Sequence, residues 1–348
     1  MSVSYGAVFR DPGTARGVLF VALFGALATA LAMIPQMTAW HLHSLIIGMV
    51  LGMIFANTAR HRVPESWNPG IHYTARNLLR IAIVLYGFRI TFQTILNVGI
   101  SGIVVSIAMV SLTFFLGLAF GTRVLKMDRD LSLLTAAGAA ICGAAAVLAT
   151  ESVVRAAAWK STVAVATVVL FGTLAMFLVP LLYRTGIIPL DLHDVGLYIG
   201  GSVHEVAHVV AAGNAISPET GDTAVIVKMI RVMMLAPFLL ILGAILARIV
   251  DTQNGGKAPV AVPWFALLFI AMAGVHSLDI IPPGIVDGIN HLDGFLLTMA
   301  MCALGMETRF SKFRDVGLKP LWLALFLFVW LLVGGFFITK AVLTVFPA

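Results

Sequence analysis

Long apolar blocks alternate with short polar ones along the whole chain. About eleven apolar stretches of roughly 16 to 25 residues lie near 17–34, 42–58, 78–92, 99–121, 131–150, 161–182, 195–212, 223–247, 263–279, 292–306 and 320–345. A helix needs about 20 apolar residues to cross a hydrocarbon core, so this pattern predicts an all-α, multi-pass membrane protein. The first block follows Arg10 and Arg16, is too long for a signal-peptide core, and ends at Pro35-Gln36 without a small-x-small cleavage pattern. It reads as a retained first span. The longest polar stretches are 59–77 and 248–262, the latter holding a Gln-Asn-Gly-Gly turn at Gln253–Gly256. Neither leaves room for a soluble domain, so residues 1–348 form a single membrane domain.

Composition agrees with this pattern. The 348 residues are 60% hydrophobic and 11% charged. The 38 Lys, Arg, Asp and Glu side chains (22 + 16) compare with about 87 in a soluble chain of this length. A net charge of +6 could suggest a nucleic-acid partner, but the basic residues sit in short clusters between apolar blocks and read as topology signals. Cys142 and Cys302 lie inside apolar blocks, and no disulfide framework follows.

With the N-terminus cytoplasmic, Arg60, Arg62, Arg76, Arg123, Lys126 and Arg129 fall inside at one end of the chain. At the other end, Arg248, Lys257, Arg309, Lys312, Arg314 and Lys319 fall inside, with Asp279 and Asp287 outside. The middle decides between two topologies. If all eleven blocks cross, Arg155 and Lys160 lie outside and Asp191 and Asp194 inside, against the charge bias. If 131–150 and 195–212 are re-entrant hairpins, about nine spans remain and every loop obeys the rule. The second topology is favoured; two broken helices that cross fully are the alternative.

The chain also repeats itself. An offset of 218 sets Leu78–Gly99 against Leu296–Gly317, with seven of twenty-two positions identical, including Gly87 with Gly305, Phe92 with Phe310 and Val98-Gly99 with Val316-Gly317. The copies are separated by an odd number of crossings and are therefore inverted, pairing about 42–121 with 262–345. A weaker match at offset 62 sets Gly138–Ala149 against Gly200–Ala211. Such runs mark either close helix packing, as Gly48/Gly52 and Gly117/Gly121 do, or a substrate site on broken helices.

Ionisable side chains inside apolar blocks are costly unless paired or hydrated, and point to function. The densest group is His204, Glu205 and His208, followed by Asn214, Lys228 and Arg231. Lys228 and Arg231, three apart, share one helix face and could meet Glu205 or an anion; snorkelling to the interface is the other reading for them. His204-Glu-Val-Ala-His208 also fits the H-E-x-x-H zinc pattern, for which Asp293 of Leu292-Asp-Gly would be the third ligand. That makes an intramembrane zinc protease a rival. No phosphate loop, serine elbow or cysteine pair at zinc spacing is present in the sequence.

The strings Leu85-Tyr-Gly-Phe-Arg-Ile-Thr-Phe92, Ile141-Cys-Gly-Ala-Ala-Ala-Val-Leu-Ala-Thr-Glu151, His204-Glu-Val-Ala, Ala211-Ala-Gly-Asn-Ala-Ile-Ser-Pro218 and Arg231-Val-Met-Met-Leu-Ala-Pro237 resemble the YeiH-type family of bacterial inner-membrane proteins, which carry the name sulfate exporters. The segments ending at Gly87 and Gly305 are more distantly similar to bile-acid, arsenite and cation-proton carriers. The resemblance implies an inverted-repeat transporter in the bacterial inner membrane, forming a homodimer by fold analogy, with no cofactor and no enzymatic activity.

The expected function is export of a small inorganic or sulfur-containing anion, coupled to protons; a passive anion channel is a further alternative. The tips near Ile141, Cys142 and Gly143 and near Ser202–His204 are expected to meet at mid-membrane, where helix N-termini favour an anion. Ser202 would donate a hydrogen bond, Lys228 and Arg231 countercharge, and Glu205 and His204 would carry the proton, with His208 and Asn214 nearby.

Overall fold

The computed structural model describes residues 11–34, 37, 44–249, 264–309 and 317–346. The Gln253–Gly256 turn, Arg10, Lys257, Lys312 and Arg314 lie outside the described residues. Every regular element among those described is helical. In chain order they are α1 (Pro12–Ala32), α2 (Ser44–Thr58), α3 (68–86, made of Asn68–Tyr73, a π turn Thr74–Leu78 and Leu79–Tyr86), α4 (Phe92–Ala119), α5 (Arg129–Ala140), α6 (Ala144–Val154), α7 (Ala158–Arg184), α8 (Leu192–Ser202), α9 (Val206–Asn214), α10 (Pro218–Met233), α11 (Leu235–Ile249), α12 (Trp264–Ser277), α13 (Pro283–Glu307) and α14 (Leu318–Val345). Among the described residues six helical stretches are long and apolar enough to cross a membrane: Pro12–Ala32, Val98–Val124, Trp159–Arg184, Pro218–Ile245, Pro283–Glu307 and Leu318–Val345. Shorter apolar helices run over Ser44–Thr58 and Leu267–Ser277. The all-α, multi-pass class read from the apolar blocks is the observed one.

Two boundaries differ from the sequence reading. The polar stretch 59–77 is not a loop throughout: after 3-10 turns at Arg60–Arg62 and Glu65–Trp67, helix begins at Asn68, with Pro69 in its first turn. Hydropathy missed it because this turn packs on glycines. A side chain at Gly70 would collide with Thr14 O, and one at Gly17 with Trp67 O. Similarly, α13 starts at Pro283 behind Pro282, so Asp287 lies on the helix and not in the preceding loop.

The chain forms two compact units, Met1–Phe92 with Leu267–Phe310 and Gln93–Ala266 with Ser311–Ala348. In the first, α2 and α13 approach until backbone meets backbone. A side chain at Gly52 would strike Cys302 O, one at Gly305 would strike Met49 O, and Gly48 faces Cys302 Sγ. Gly87, which the 218-residue offset pairs with Gly305, meets Phe269 O on α12 in the same way. The equivalence extends to the polar ends of these helices. Arg89 donates to Asp293 Oδ2 (3.0 Å) and Asn290 O (2.9 Å), while Glu307, at the position matching Arg89, meets His72 Nδ1 (2.8 Å), at the position matching Asn290.

In the second unit the two long helices α4 and α14 carry the same offset. Gly99 (φ 61°) interrupts α4 near its start and Gly317 (φ 80°) immediately precedes α14. Left-handed backbone favours glycine at both positions. Their outer faces expose Ile103, Ile107 and Phe115 on α4, and Trp322, Val329, Val333 and Phe337 on α14, as expected of lipid-facing sides.

Segments 131–150 and 195–212 are both broken, and both return to the side they entered from. The first is α5, a break at Ile141–Gly143, and α6; Leu131 and Val147, sixteen residues apart in sequence, pack in one cluster with Ala164 and Val168. Lys160, after α6, pairs with Asp128 (2.6 Å) and Asp130 (2.7 Å), before and at the start of α5. Those partners could not meet if 129–154 crossed the bilayer. The second is α8, a break at Val203–Glu205, and α9, and Thr220 Oγ1 beyond it donates to Leu192 O at its start (2.8 Å). The far end of α7, about 36 Å from Lys160, touches this second foot through Arg184 Nη2 to Ala215 O (2.6 Å). The hairpins therefore enter from opposite ends of α7. Their incoming helices start on equivalent caps, Asp128 accepting from Leu131 N–H and Asp191 from Asp194 N–H.

The Lys160 pairing gives a pH-dependent prediction. Asp128 is held below the usual carboxylate range, chiefly by the hydrogen bond from Lys160. A depressed folded-state value contributes stability above the ordinary carboxylate range and loses it as pH falls through that value. After screening at this half-exposed carboxyl, Lys160→Ala is expected to cost about 0.5–1 kcal/mol at neutral pH and progressively less as pH falls below about 4. Thermal unfolding in detergent at neutral pH and below about pH 4 measures it; an equal cost at both would remove the pair from the account.

Candidate functional site

The tips of the two hairpins meet, and backbone accounting explains how. The last carbonyls of any helix lack intrahelical partners. In α5, Ala137 O takes Ile141 N–H and Gly138 O takes Gly143 N–H; in α8, Ile199 O takes Val203 N–H. The next acceptors are met by side chains from α10. Arg231 Nη1 donates to Gly200 O (3.0 Å) and Gly201 O (2.5 Å), and Nη2 to Ala139 O (3.3 Å) and Ala140 O. Lys228 Nζ donates to Ile141 O (2.9 Å) and Val203 O (2.7 Å), two carbonyls that the 62-residue offset makes equivalent. Both side chains are fully buried, which excludes snorkelling. The negative ends of α5 and α8 thus share two cationic side chains, the arrangement helix dipoles favour.

The positive ends converge on the same spot. Glu205, in extended backbone just before α9 (φ −113°, ψ 153°), reaches across so that its Oε1 accepts from Ala144 N–H at the start of α6 (3.0 Å). Gly143 (φ 76°) is required twice over: its backbone is left-handed, and any side chain there would overlap Glu205 Cγ. Cys142 is buried between them and free.

The remaining sequence candidates spread outward. His208 is buried; its Nε2 lies 3.4 Å from Thr173 Oγ1, and its Nδ1, without a hydrogen bond, lies 3.8 Å from Glu205 Oε2. His204 is buried with Nδ1 unpartnered, and the His208 imidazole and the His204 Cβ pack on Gly172 of α7. Ser202 is buried at the end of α8, but its Oγ faces Gly335 of α14. Asn214 stands about 13 Å along α9 from Glu205, donating to Val210 O and packing on Gly221 at the hairpin foot. The structure thus brings together Cys142, Gly143, His204, Glu205, His208, Lys228 and Arg231, and leaves Ser202 and Asn214 facing elsewhere.

Sequence reasoning did not find the backbone groups at the tips, nor Gly172 and Thr173 on α7. Gly172 and Thr173 side by side at the middle of the 161–182 block were the available signal.

The zinc reading does not match this geometry. Two histidines at i and i+4 bind one metal when both lie on one helical face, but α9 begins at Val206 and His204 belongs to the extended break. Asp293 is engaged by Arg89, and among the described residues no group of three His, Cys, Asp or Glu could hold a metal.

Two broken hairpins entering from opposite sides and crossing at buried charges, in a chain with inverted repeats, define a multi-pass membrane protein of transporter-like architecture. The family model described as conserved hypothetical protein 698 matches residues 16–324, and the chain belongs to that family of bacterial inner-membrane proteins. It is 50% identical over 326 residues to a UPF0324 membrane protein of Bordetella pertussis, covering 93% of this chain and 94% of the relative. It is 48% identical over 302 residues to the UPF0324 inner membrane protein YeiH of Escherichia coli K12, covering 87% and 86%. A UPF0324 membrane protein of Bacteroides thetaiotaomicron is 47% identical over 327 residues, with 93% and 97% covered. No solved structure matches the chain.

Proposed function

We propose that the protein is a secondary carrier that exports a small anion, sulfate or a related sulfur-containing anion, coupled to protons, and that the anion binds where the hairpin tips cross. The observation that carries this reading is the convergence of two helix N-termini, α6 and α9, on a point flanked by the buried Lys228 and Arg231 side chains. First-turn N–H groups and a cationic surround are the chemistry that holds oxyanions in a low-dielectric setting. Charge bookkeeping supports a dianion: Lys228 and Arg231 supply +2 and Glu205 −1, leaving +2 when Glu205 is protonated. Glu205 is the proton carrier in this reading, and the N-terminus is cytoplasmic.

The test is uptake and counterflow in proteoliposomes with sulfate, sulfite, thiosulfate, taurine, arsenate and small carboxylates, each with and without a pH gradient. Saturable flux of at least one sulfur oxyanion, stimulated by the gradient, is expected. Non-saturating flux indifferent to the gradient would replace the carrier with a channel, and absence of flux for all six would remove the anion.

A further inference from the structure

We propose that the Glu205 carboxylate occupies the seat of the transported anion, so that the protein binds anion only when a proton has released that carboxylate from Ala144 N–H. This deepens the carrier reading above and rests on it.

Three observations converge on the seat. First, Glu205 Oε1 already accepts from the first-turn N–H of Ala144 (3.0 Å), the position at which a sulfate oxygen would bind with the same hydrogen-bond chemistry. Second, within tip residues 139–147 and 200–210, Ala144, Ala145 and Glu205 are partly exposed while the others are buried. The seat is therefore a partly accessible point of the crossing. Third, His208 is fully buried with Nδ1 unpartnered, 3.8 Å from Glu205 Oε2. That gap is too long for a hydrogen bond and leaves a polar atom beside the seat for an incoming oxyanion or for the displaced carboxyl.

The groups facing Glu205 are Cys142 from the first hairpin, His208 from its own and Lys228 from α10, with His204 next to it in the chain and Arg231 acting on Lys228 and Cys142. Lys228 and Arg231 are committed to the carbonyls of both tips. Of the first-turn donors of α6, Cys142 takes the Ala146 N–H and Glu205 takes the Ala144 N–H. One carboxylate and one oxyanion compete for that donor and for the same positive surround. The proton arrives on a Glu205 oxygen as the Ala144 hydrogen bond opens, and leaves when the carboxylate returns. Anion and proton are thus bound together, one proton per anion.

Linkage makes this measurable. Over the range in which Glu205 is ionised, one proton per anion means that the apparent Kd of sulfate or thiosulfate weakens by about tenfold per pH unit. In Glu205→Gln the seat carries no competing charge, so binding is expected to be independent of pH and tighter than wild type at neutral pH. Glu205→Ala, which empties the seat, is expected to behave likewise. The experiment is calorimetric titration of purified full-length protein with each anion between about pH 5 and 8, with monodispersity by gel filtration confirming that each variant is folded. If Glu205→Gln and Glu205→Ala both keep the wild-type pH slope, the seat assignment falls while the carrier reading stands. If wild type and both variants bind neither anion at any pH, the anion reading falls and takes this inference with it.

Discussion

Lys228→Met is expected to open the hairpin crossing and to abolish transport. The lysine Nζ is the donor to Ile141 O and Val203 O, one carbonyl from each tip, in a place that water does not reach. Methionine conserves the length and apolar bulk of the stem and removes only the donor. Each buried acceptor left without a partner costs about 1–3 kcal/mol, so the two together cost about 2–6 kcal/mol. That is enough to shift the population of the closed crossing by tenfold or more. A readout besides stability is available at Cys142, which is free and buried at the first tip. In a Cys302→Ser background, a membrane-permeant maleimide should label Cys142 slowly in wild type and much faster in the Lys228→Met protein. Unchanged labelling together with unchanged thermal unfolding would show that Lys228 does not hold the tips.

Much of this was legible from residue order, for identifiable reasons. Apolar block length announced the membrane, and loop charge favoured hairpins over full spans. Arg155 and Lys160 belong on the side of Arg129, and the Lys160 pairs with Asp128 and Asp130 put Lys160 there. The glycine matches at offset 218 carried conformation as well as identity, since Gly99 and Gly317 both adopt left-handed backbone ahead of long helices. Intramembrane charge drew attention to Glu205, Lys228 and Arg231. Their partners were not legible, because Ala139, Gly200 and Val203 act through carbonyls that every residue owns. Hydropathy cannot say which peptide groups lose their helical partner. The helix start at Asn68 was hidden for a related reason: its packing on α1 rests on Gly13, Gly17 and Gly70, where the absence of a side chain is what matters. H-E-x-x-H misled because a five-residue pattern assumes one continuous helix, and the break at Val203–Glu205 runs through it.

Arg231→Lys preserves charge and should nevertheless be damaging, more so than the exchange of one cation for another suggests. The guanidinium is a planar fork, and here each prong serves a different hairpin: Nη1 the α8 carbonyls of Gly200 and Gly201, Nη2 the α5 carbonyls of Ala139 and Ala140. A lysine presents one compact donor group on a shorter reach and can satisfy one helix end, not both. Interhelical hydrogen bonds in membranes average about 0.6 kcal/mol where alternative partners exist. At a helix C-terminus enclosed by protein no alternative is at hand, and a charged donor is worth about 1.5–3 kcal/mol per bond. Losing one pair of carbonyls therefore costs about 3 kcal/mol or more, roughly a hundredfold in the closed population. The expected order in thermal stability and in transport rate is wild type, then Arg231→Lys, then Arg231→Met, which leaves both pairs of carbonyls without a donor. A fork that spans two hairpins also predicts non-additivity: in a Lys228→Met background the Arg231→Lys step should cost less than in wild type, because the tips it bridges have already parted. Equal cost in both backgrounds would mean that the two side chains act on separate structures rather than on one crossing.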